Sequence, residues 1–363
     1  MKKILHVIGG MDRGGAESYI MNTLRNIDHK KYKFGILTFM APREGDKYFY
    51  EDELKELGVE IIRIPDNRFR RPLKFIDDVA KVLTDGKYDA IHSHIDFMSS
   101  LTLTAARKAG VKKRIAHSHN TNNSKFDSKK MRVIAATLRR KLNREVTDRL
   151  ACGVDAGKFL YGAKKDFTVI HNGIDLQKFR YNSNVRNTMR AKYDIDENAV
   201  VLLNVGRFEA QKNQEHLINI FADYVRKNKT AKLVIIGEGS LKQNIEDKIA
   251  SERLGKSVIL LPAQSDMERF YAMADVFVLP SLFEGVPTVG IEAQASGMKC
   301  LFSDKVPAET KLLDTTEFLP LDENWTSKIV LAKKRGDAIK NPAVQEYDIQ
   351  STVKVLEKVY DAK

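Results

Sequence analysis

SLFEGVPTVGIEAQASG, residues Ser281 to Gly297, follows the apolar run Val276-Phe277-Val278-Leu279 and runs into a helical pattern at Ile291-Glu292-Ala293. A short apolar run bounded by turn residues is a buried strand, so this stretch reads as strand, turn and helix start. A helix start after a strand aims free backbone N–H groups and the positive end of the helix dipole at one point, which suits a phosphate. Glu284 and Glu292 flank that point, with Gly285, Pro287 and Gly290 between them. An ionised Glu only accepts hydrogen bonds, and sugars offer many donors. A phosphate flanked by hydroxyls describes a nucleotide sugar.

Working outward, the same alternation fills the chain. Strands are expected near Ile4–Ile8, Phe34–Phe39, Glu60–Ile64, Ala90–His92, Arg114–Ala116, Leu150–Cys152 and Thr168–Ile170, with helical stretches between most of them. The rhythm restarts at Val200–Val205, Lys232–Ile236, Val258–Leu261, Val276–Leu279 and Lys299–Phe302. Strict β-α alternation predicts a parallel sheet with helices on both faces, and doing it twice predicts two such α/β domains. The boundaries fall at 1–180 and 181–345, with the polar segment Phe179–Asn198 as linker. A last helix, Thr352–Tyr360, puts Val353, Leu356, Val359 and Tyr360 on one face that needs a surface to cover.

With 363 residues, 43% hydrophobic and 30% charged, the chain is long enough for two cores. Cys152 and Cys300 form no metal spacing and read as small buried residues of a reducing compartment. No signal peptide and no run of about 20 apolar residues is evident, so a cytoplasmic protein is expected. The net charge of +13 is unevenly placed: residues 1–180 hold 36 Lys and Arg against 22 Asp and Glu, and residues 181–363 hold 25 against 26. Arg68–Lys74 and Lys125–Arg149 concentrate the excess. In the second segment Met131, Ile134, Ala135, Leu138 and Leu142 recur at helical spacing among Lys129, Lys130, Arg132, Arg139, Arg140, Lys141 and Arg144. That is an amphipathic basic helix, packed on a sheet by its stripe and able to meet an anionic membrane surface with its outer charges. Nucleic acid is not expected, because zinc spacing, aromatic RNA-binding signatures and a helix-turn-helix are all lacking.

Ligands of doubly wound sheets collect beyond the carboxyl ends of the strands. The first strand leads into Gly9-Gly10-Met11-Asp12-Arg13-Gly14-Gly15-Ala16-Glu17, ahead of a helix. Gly206-Arg207 follows another strand with Lys212 close by, two cations suited to a diphosphate leaving group. Gly237-Glu238-Gly239 follows a third. His92-Ser93-His94 and His117-Ser118-His119 are two H-x-H pairs with no third ligand at fixed spacing, and Asp194-Ile195-Asp196 reads as a solvated acidic turn; no metal is expected.

Taken together these residues resemble the retaining GT-B glycosyltransferases of family 4, particularly the bacterial exopolysaccharide and capsule branch. The likeness runs over nearly the whole chain: Gly14-Gly15-Ala16-Glu17, Ala116-His117-Ser118-His119, His171-Asn172-Gly173-Ile174-Asp175, Gly206-Arg207 with Lys212, Gly237-Glu238-Gly239, Pro280-Ser281 and Glu284/Glu292. It implies two Rossmann-like domains facing across a cleft, with a C-terminal helix (346–363) crossing back to the first. It implies a metal-independent hexosyl- or N-acetylhexosaminyltransferase without cofactor, using a nucleotide-sugar donor, preferably UDP-linked, and a saccharide acceptor carried on polyprenyl diphosphate at the inner membrane face. By the same resemblance Arg207 and Lys212 hold the donor diphosphate, Glu284 faces the transferred sugar and Glu292 holds the ribose. Backbone N–H groups near Thr288 and Val289 meet phosphate, Gly15 approaches from the opposite domain, Gly237 is among the donor-binding residues, and Asn172 lines the cleft near the hinge. His117 or His119 meets the donor sugar. Pro287 replaces a glycine common in relatives and has no N–H to offer. The competing readings are a nucleotide-sugar epimerase on the same fold and a basic, non-catalytic binding module.

Overall fold

A computed structural model describes residues 1–12, 14–43, 45–121, 128–330 and 335–362. Arg13 of the glycine-rich loop and Lys125 of the basic segment lie outside the described residues. The chain forms two compact units, Met1–Gly173 with Ile349–Lys363, and Ile174–Asp348.

The first unit holds β1 (Lys2–Val7), β2 (Tyr32–Thr38), β3 (Glu60–Arg63), β4 (Ala90–Ser93), β5 (Lys113–Ser118), β6 (Asp148–Ala151) and β7 (Thr168–Val169). They pair in the order β3-β2-β1-β4-β5-β6-β7, every pair parallel. Sequence neighbours face opposite ways across a strand. Thus Leu5 and Val7 join the core with Phe75, Val79 and Leu103, whereas Ile4 and Ile8 join the opposite core with Ile20, Leu24, Val353 and Tyr360. Helix Ile349–Asp361 therefore finds its surface on the first unit. It lies so close that a Cβ on Gly173 would stand 2.9 Å from the Ile349 Cα, which is why a glycine ends the His171-Asn172-Gly173 run.

The second unit holds β8 (Val201–Val205), β9 (Lys232–Ile236), β10 (Val258–Leu261), β11 (Val276–Leu279), β12 (Lys299–Ser303) and β13 (Thr316–Leu319), in the parallel order β10-β9-β8-β11-β12-β13. In both sheets the order reverses between the first and fourth strands of the unit. That switch point opens a crevice at the carboxyl ends, where open α/β sheets bind ligands.

Three expectations change. The polar segment 179–198 is not a linker: it contains helix Ser183–Lys192, whose Arg186 and Arg190 bind Asp275 at 2.7 Å each inside the second unit. The chain passes between units at Gly173–Ile174 and Asp348–Ile349 instead. A sixth strand, β13, was not expected; it is a four-residue edge strand that opens on Thr316-Glu317 and is too short to show an apolar pattern. The basic helix spans Lys129–Glu145, and of its stripe Ala135 and Leu142 are buried, Met131 and Leu138 are partly so, and Ile134 is exposed beside exposed Val133. Asp194 and Asp196 stand in the turn after helix Ser183–Lys192, with Asp196 accepting from the Asn198 N–H. No helix among the described residues is long and apolar enough to cross a membrane.

Candidate active site

In the second unit the site grows from the ends of β8 and β11. After β8 the chain makes a tight turn at Ala210–Lys212, and Asn213 enters the next helix in the left-handed conformation (φ 53°). The Lys212 stem crosses Gly206 so closely that a Cβ there would meet three of its carbons at 3.3 Å. Its Nζ then reaches Glu284 Oε1 at 2.6 Å, with only 14% and 7% of the two side chains exposed. Ser281 Oγ donates to the same oxygen at 2.6 Å. Gln211 donates to the Phe283 carbonyl at 2.9 Å and accepts from the Leu282 N–H at 2.8 Å. Asn213 donates to the Pro280 carbonyl at 3.1 Å. Residues 210–213 and 280–284 are thus stitched together, and the buried cation and carboxylate are fixed against each other. Such a pair is costly to break, because removing either partner leaves a buried charge uncompensated.

Arg207 is exposed and makes no ion pair among the described residues. Its carbonyl accepts from Gln214, and the following Phe208 N–H donates to the Glu238 carbonyl at 2.8 Å. This is where the Gly237-Glu238-Gly239 spacing gains its reason. A Cβ on Gly237 would stand 1.9 Å from the Gly206 carbonyl oxygen, and one on Gly239 would meet the Phe208 backbone at 2.5 Å. The loops after β8 and β9 touch backbone to backbone.

Helix Thr288–Ala295 has Pro287 as its N-cap and no side-chain cap. Gly290 and Ile291 donate to the Pro287 carbonyl, while the Thr288 and Val289 N–H groups have no backbone acceptor among the described residues. They are the orphan donors of a helix start. Pro287 has no N–H to add to them, but its carbonyl closes the first turn. Further along, Tyr271 Oη donates to Glu292 Oε2 at 2.7 Å. Burial pushes the Glu292 carboxyl up to about 7, with the Tyr271 hydrogen bond acting the other way. The geometry therefore brings Lys212 and Glu284 into contact and sets Glu292 against Tyr271. Ser281, Gln211 and Tyr271 are partners that sequence reading missed; Ser281 lies in the decisive stretch, whereas nothing local marks Tyr271.

In the first unit Gly15 opens helix Gly15–Asn26, and the space a Cβ would fill there is empty to 4 Å. Asn172 is 7% exposed, and its Oδ1 has no hydrogen-bond partner among the described residues. His117 and His119 are not an isolated pair. β1, β4 and β5 lie side by side with His6 in register with His92, so His6, His92, His94, His117 and His119 all face one side of the sheet. The absence of a third histidine holds in sequence but fails in space: ring nitrogens of His6, His92 and His94, and of His94, His117 and His119, lie within 4.8 Å of one another. His6 was overlooked because a single His inside an apolar strand gives no spacing to read.

Two parallel doubly wound sheets, with a lysine, two glutamates and an open helix start beyond the strand ends of the second, are the architecture of GT-B glycosyltransferases. The family model for glycosyl transferases group 1 matches residues 185–325, and that for glycosyltransferase family 4 matches residues 13–178. The chain is 33% identical over 374 residues to the putative glycosyltransferase EpsF of Bacillus subtilis, covering 99% of this chain and 96% of the relative. It is 30% identical over 245 residues to the Escherichia coli UDP-Gal:alpha-D-GlcNAc-diphosphoundecaprenol alpha-1,3-galactosyltransferase, covering 64% of this chain and 62% of that one. Among solved structures Anabaena Alr3699/HepE in complex with UDP superposes with a TM-score of 0.80 at 16% identity, covering 99% of both chains. The chain belongs to glycosyltransferase family 4 and is a glycosyltransferase.

Proposed function

We propose that this glycosyltransferase moves a hexose or N-acetylhexosamine, with retention of configuration and without a metal ion, from a UDP-sugar to a saccharide carried on polyprenyl diphosphate during cell-surface polysaccharide synthesis. The observation that carries the reading is the buried contact between Lys212 Nζ and Glu284 Oε1 at the strand ends of the second unit. Lys212 there serves the donor diphosphate and Glu284 the hydroxyls of the transferred sugar. Arg207, free of intramolecular ion pairs among the described residues, is the second cation for the diphosphate. The Thr288 and Val289 N–H groups meet phosphate oxygens, Gly237 lets the backbone approach, and Glu292 accepts from the ribose. Gly15, Asn172 and the end histidines His117 and His119 serve the sugar and its acceptor.

In such a transfer negative charge grows on the departing diphosphate while the sugar turns oxocarbenium-like. Fixed cations and amide dipoles aimed at that charge lower the barrier most. Glu284 holds the sugar and stabilises the developing positive charge. The E. coli relative's name gives it a UDP-sugar donor and a diphosphoundecaprenol acceptor, which supports the choice of donor and carrier. Product analysis tests the reading: a panel of sugar nucleotides is offered with and without polyprenyl-diphosphate saccharides, and the new linkage is assigned by NMR. An α-linked product from an α-linked UDP-sugar is expected. An altered sugar nucleotide formed without acceptor points to the epimerase, and no turnover with any donor points to the binding module.

Two further expectations arise here. Glu292 is held mainly protonated below about 7 in the free protein, and ribose hydroxyls bind best to the ionised form. UDP affinity should therefore rise several-fold between pH 6 and 8, and Glu292→Gln should abolish the slope, as read by calorimetry. The sign for stability is opposite: a carboxyl raised from 4.5 to about 7 favours the fold while protonated, and that contribution is lost as pH rises through this window. Exposed Val133 and Ile134 amid Lys129, Lys130, Arg132 and Arg140 also suit an anionic bilayer surface. Binding to phosphatidylglycerol vesicles should fall steeply with added salt and with Lys129→Glu/Lys130→Glu/Arg132→Glu; salt-independent or absent binding removes the membrane from the account.

A further inference from the structure

Five of the chain's eight histidines meet in one cluster of the first unit, four of them buried and His119 half-buried. Their contacts form a single file. His119 Nε2 meets His94 Nδ1 at 2.8 Å, and His94 Nε2 meets His6 Nδ1 at 2.9 Å. His6 Nε2 meets the Tyr360 hydroxyl at 3.3 Å, which meets His92 Nδ1 at 2.8 Å. His92 Nε2 meets His117 Nδ1 at 3.2 Å. The file turns back on itself: the rings at its two ends, His117 and His119, are stacked with centroids 4.3 Å apart. Their outer nitrogens, His117 Nε2 and His119 Nδ1, are buried and have no partner among the described residues.

Counting protons decides what this file can be. Burial, reinforced for most of the rings by the neighbouring imidazoles, holds all five far below the ordinary histidine range, His6 and His119 at about 3, so near pH 7 each ring is neutral and carries one N–H. A neutral imidazole donates from one nitrogen and accepts at the other. Five rings and one phenol supply six hydrogens, five of which fill the five contacts. The remaining one sits on one end nitrogen, and the other end keeps a lone pair. The order of atoms along the file adds a strict condition. If the hydrogens point from His119 towards His117, every ring is the Nε2–H tautomer; if they point back, every ring is Nδ1–H. A mixed set either sets two hydrogens or two lone pairs face to face at some contact, or makes the Tyr360 oxygen accept from both neighbours and leaves its own hydrogen without a place in the file, in a buried site where an unmade hydrogen bond is costly.

We propose that His119, His94, His6, Tyr360, His92 and His117 form one directional hydrogen-bonded file of uniform tautomer, so that the two end rings present one donor and one acceptor together to a sugar hydroxyl. This rests on the reading above that the end rings meet sugar. A hydroxyl donates and accepts at once and satisfies both ends in either direction. A carboxylate faces the lone pair and an ammonium faces the N–H, so both are rejected. When the hydroxyl gives its proton to His119 Nδ1, each hydrogen in the file moves one place and His117 Nε2–H returns one to the oxygen, with no charge created. Buried His6, His92, His94 and Tyr360 are positioning residues that act through the ends. Tyr360 brings the last helix into the site as the link between the two halves of the file.

The test is ring-nitrogen NMR on the full chain labelled with 15N-histidine at pH 7, which reads the tautomer of each imidazole. All five are expected neutral and of one tautomer. Mixed tautomers, a charged ring or a stoichiometric metal bound to the cluster in the purified protein would overturn the proposal. Tyr360→Phe keeps the ring packing but cuts the file, so the His92–His117 and His94–His119 halves are expected to lose their common tautomer. The kcat is expected to fall about tenfold with the donor KM little changed, the scale of one lost buried hydrogen bond. If Tyr360→Phe keeps both kcat and the uniform tautomer, the file does not act. His117→Ala and His119→Ala separate the two claims. A uniform file with unimpaired variants sinks the sugar contact alone, and mixed tautomers with inactive variants sink the file alone.

Discussion

Replacing Glu284 by alanine is expected to lower the turnover of sugar transfer by about two to four orders of magnitude, the scale seen when a group acting on the transition state is lost. Glu284 is buried, and its carboxylate is fixed by Lys212 Nζ and Ser281 Oγ on one oxygen. Only the ionised form can both pair with Lys212 and accept from sugar hydroxyls. Glu284→Gln keeps the shape and removes the charge, so it isolates the electrostatic part. Its kcat should stay within about tenfold of the alanine variant, because an amide stabilises an oxocarbenium-like sugar far less than an anion does. Steady-state kinetics with intact circular dichroism reads the effect. Near-normal kcat in both variants removes Glu284 from the chemistry.

Lys212→Met is expected to cost about 10²–10³ in kcat and to weaken UDP binding as well, since on the proposed reading its cation serves the diphosphate in both the ground state and the transition state. Methionine keeps the stem that packs across Gly206, so a loss of function does not come from a collapsed loop. The double variant Lys212→Met/Glu284→Gln carries the sharper information. Two groups in direct contact are coupled, and their effects should fall well short of multiplying. Full multiplicativity means that the 2.6 Å contact of the free protein has no part in the reaction.

Much of this architecture is legible in the chain because a parallel sheet writes itself as short apolar runs between helical periods. β8, β9 and β11 all show that contrast, and the residues following them form the proposed site. Register and partnership are not written locally. Glu284 stands out as a carboxylate just ahead of Gly285 in a turn after a strand, yet only the folded chain reveals that Lys212, 72 residues earlier, is its counter-ion. Nothing in the sequence around Asp275 marks it as the point on which Arg186 and Arg190 converge. The segment 179–198 looks like a linker because its helix buries little apolar surface: Met189 and Arg190 are its buried residues. The two H-x-H pairs are visible, but the histidine file needs the in-register pairing of β1 with β4 and a tyrosine from the far end of the chain. β13 is missed for a different reason: at four residues, Thr-Glu-Phe-Leu, it is too short to show a period.

The most direct measurement is a crystal structure with an intact, non-hydrolysable UDP-sugar. Lys212 Nζ should lie within hydrogen-bond distance of a diphosphate oxygen, with Glu284 on the sugar hydroxyls, Glu292 on the ribose and the Thr288–Val289 amides on phosphate. A donor bound away from the ends of β8 and β11, with Lys212 and Glu284 still paired and remote from it, contradicts the account.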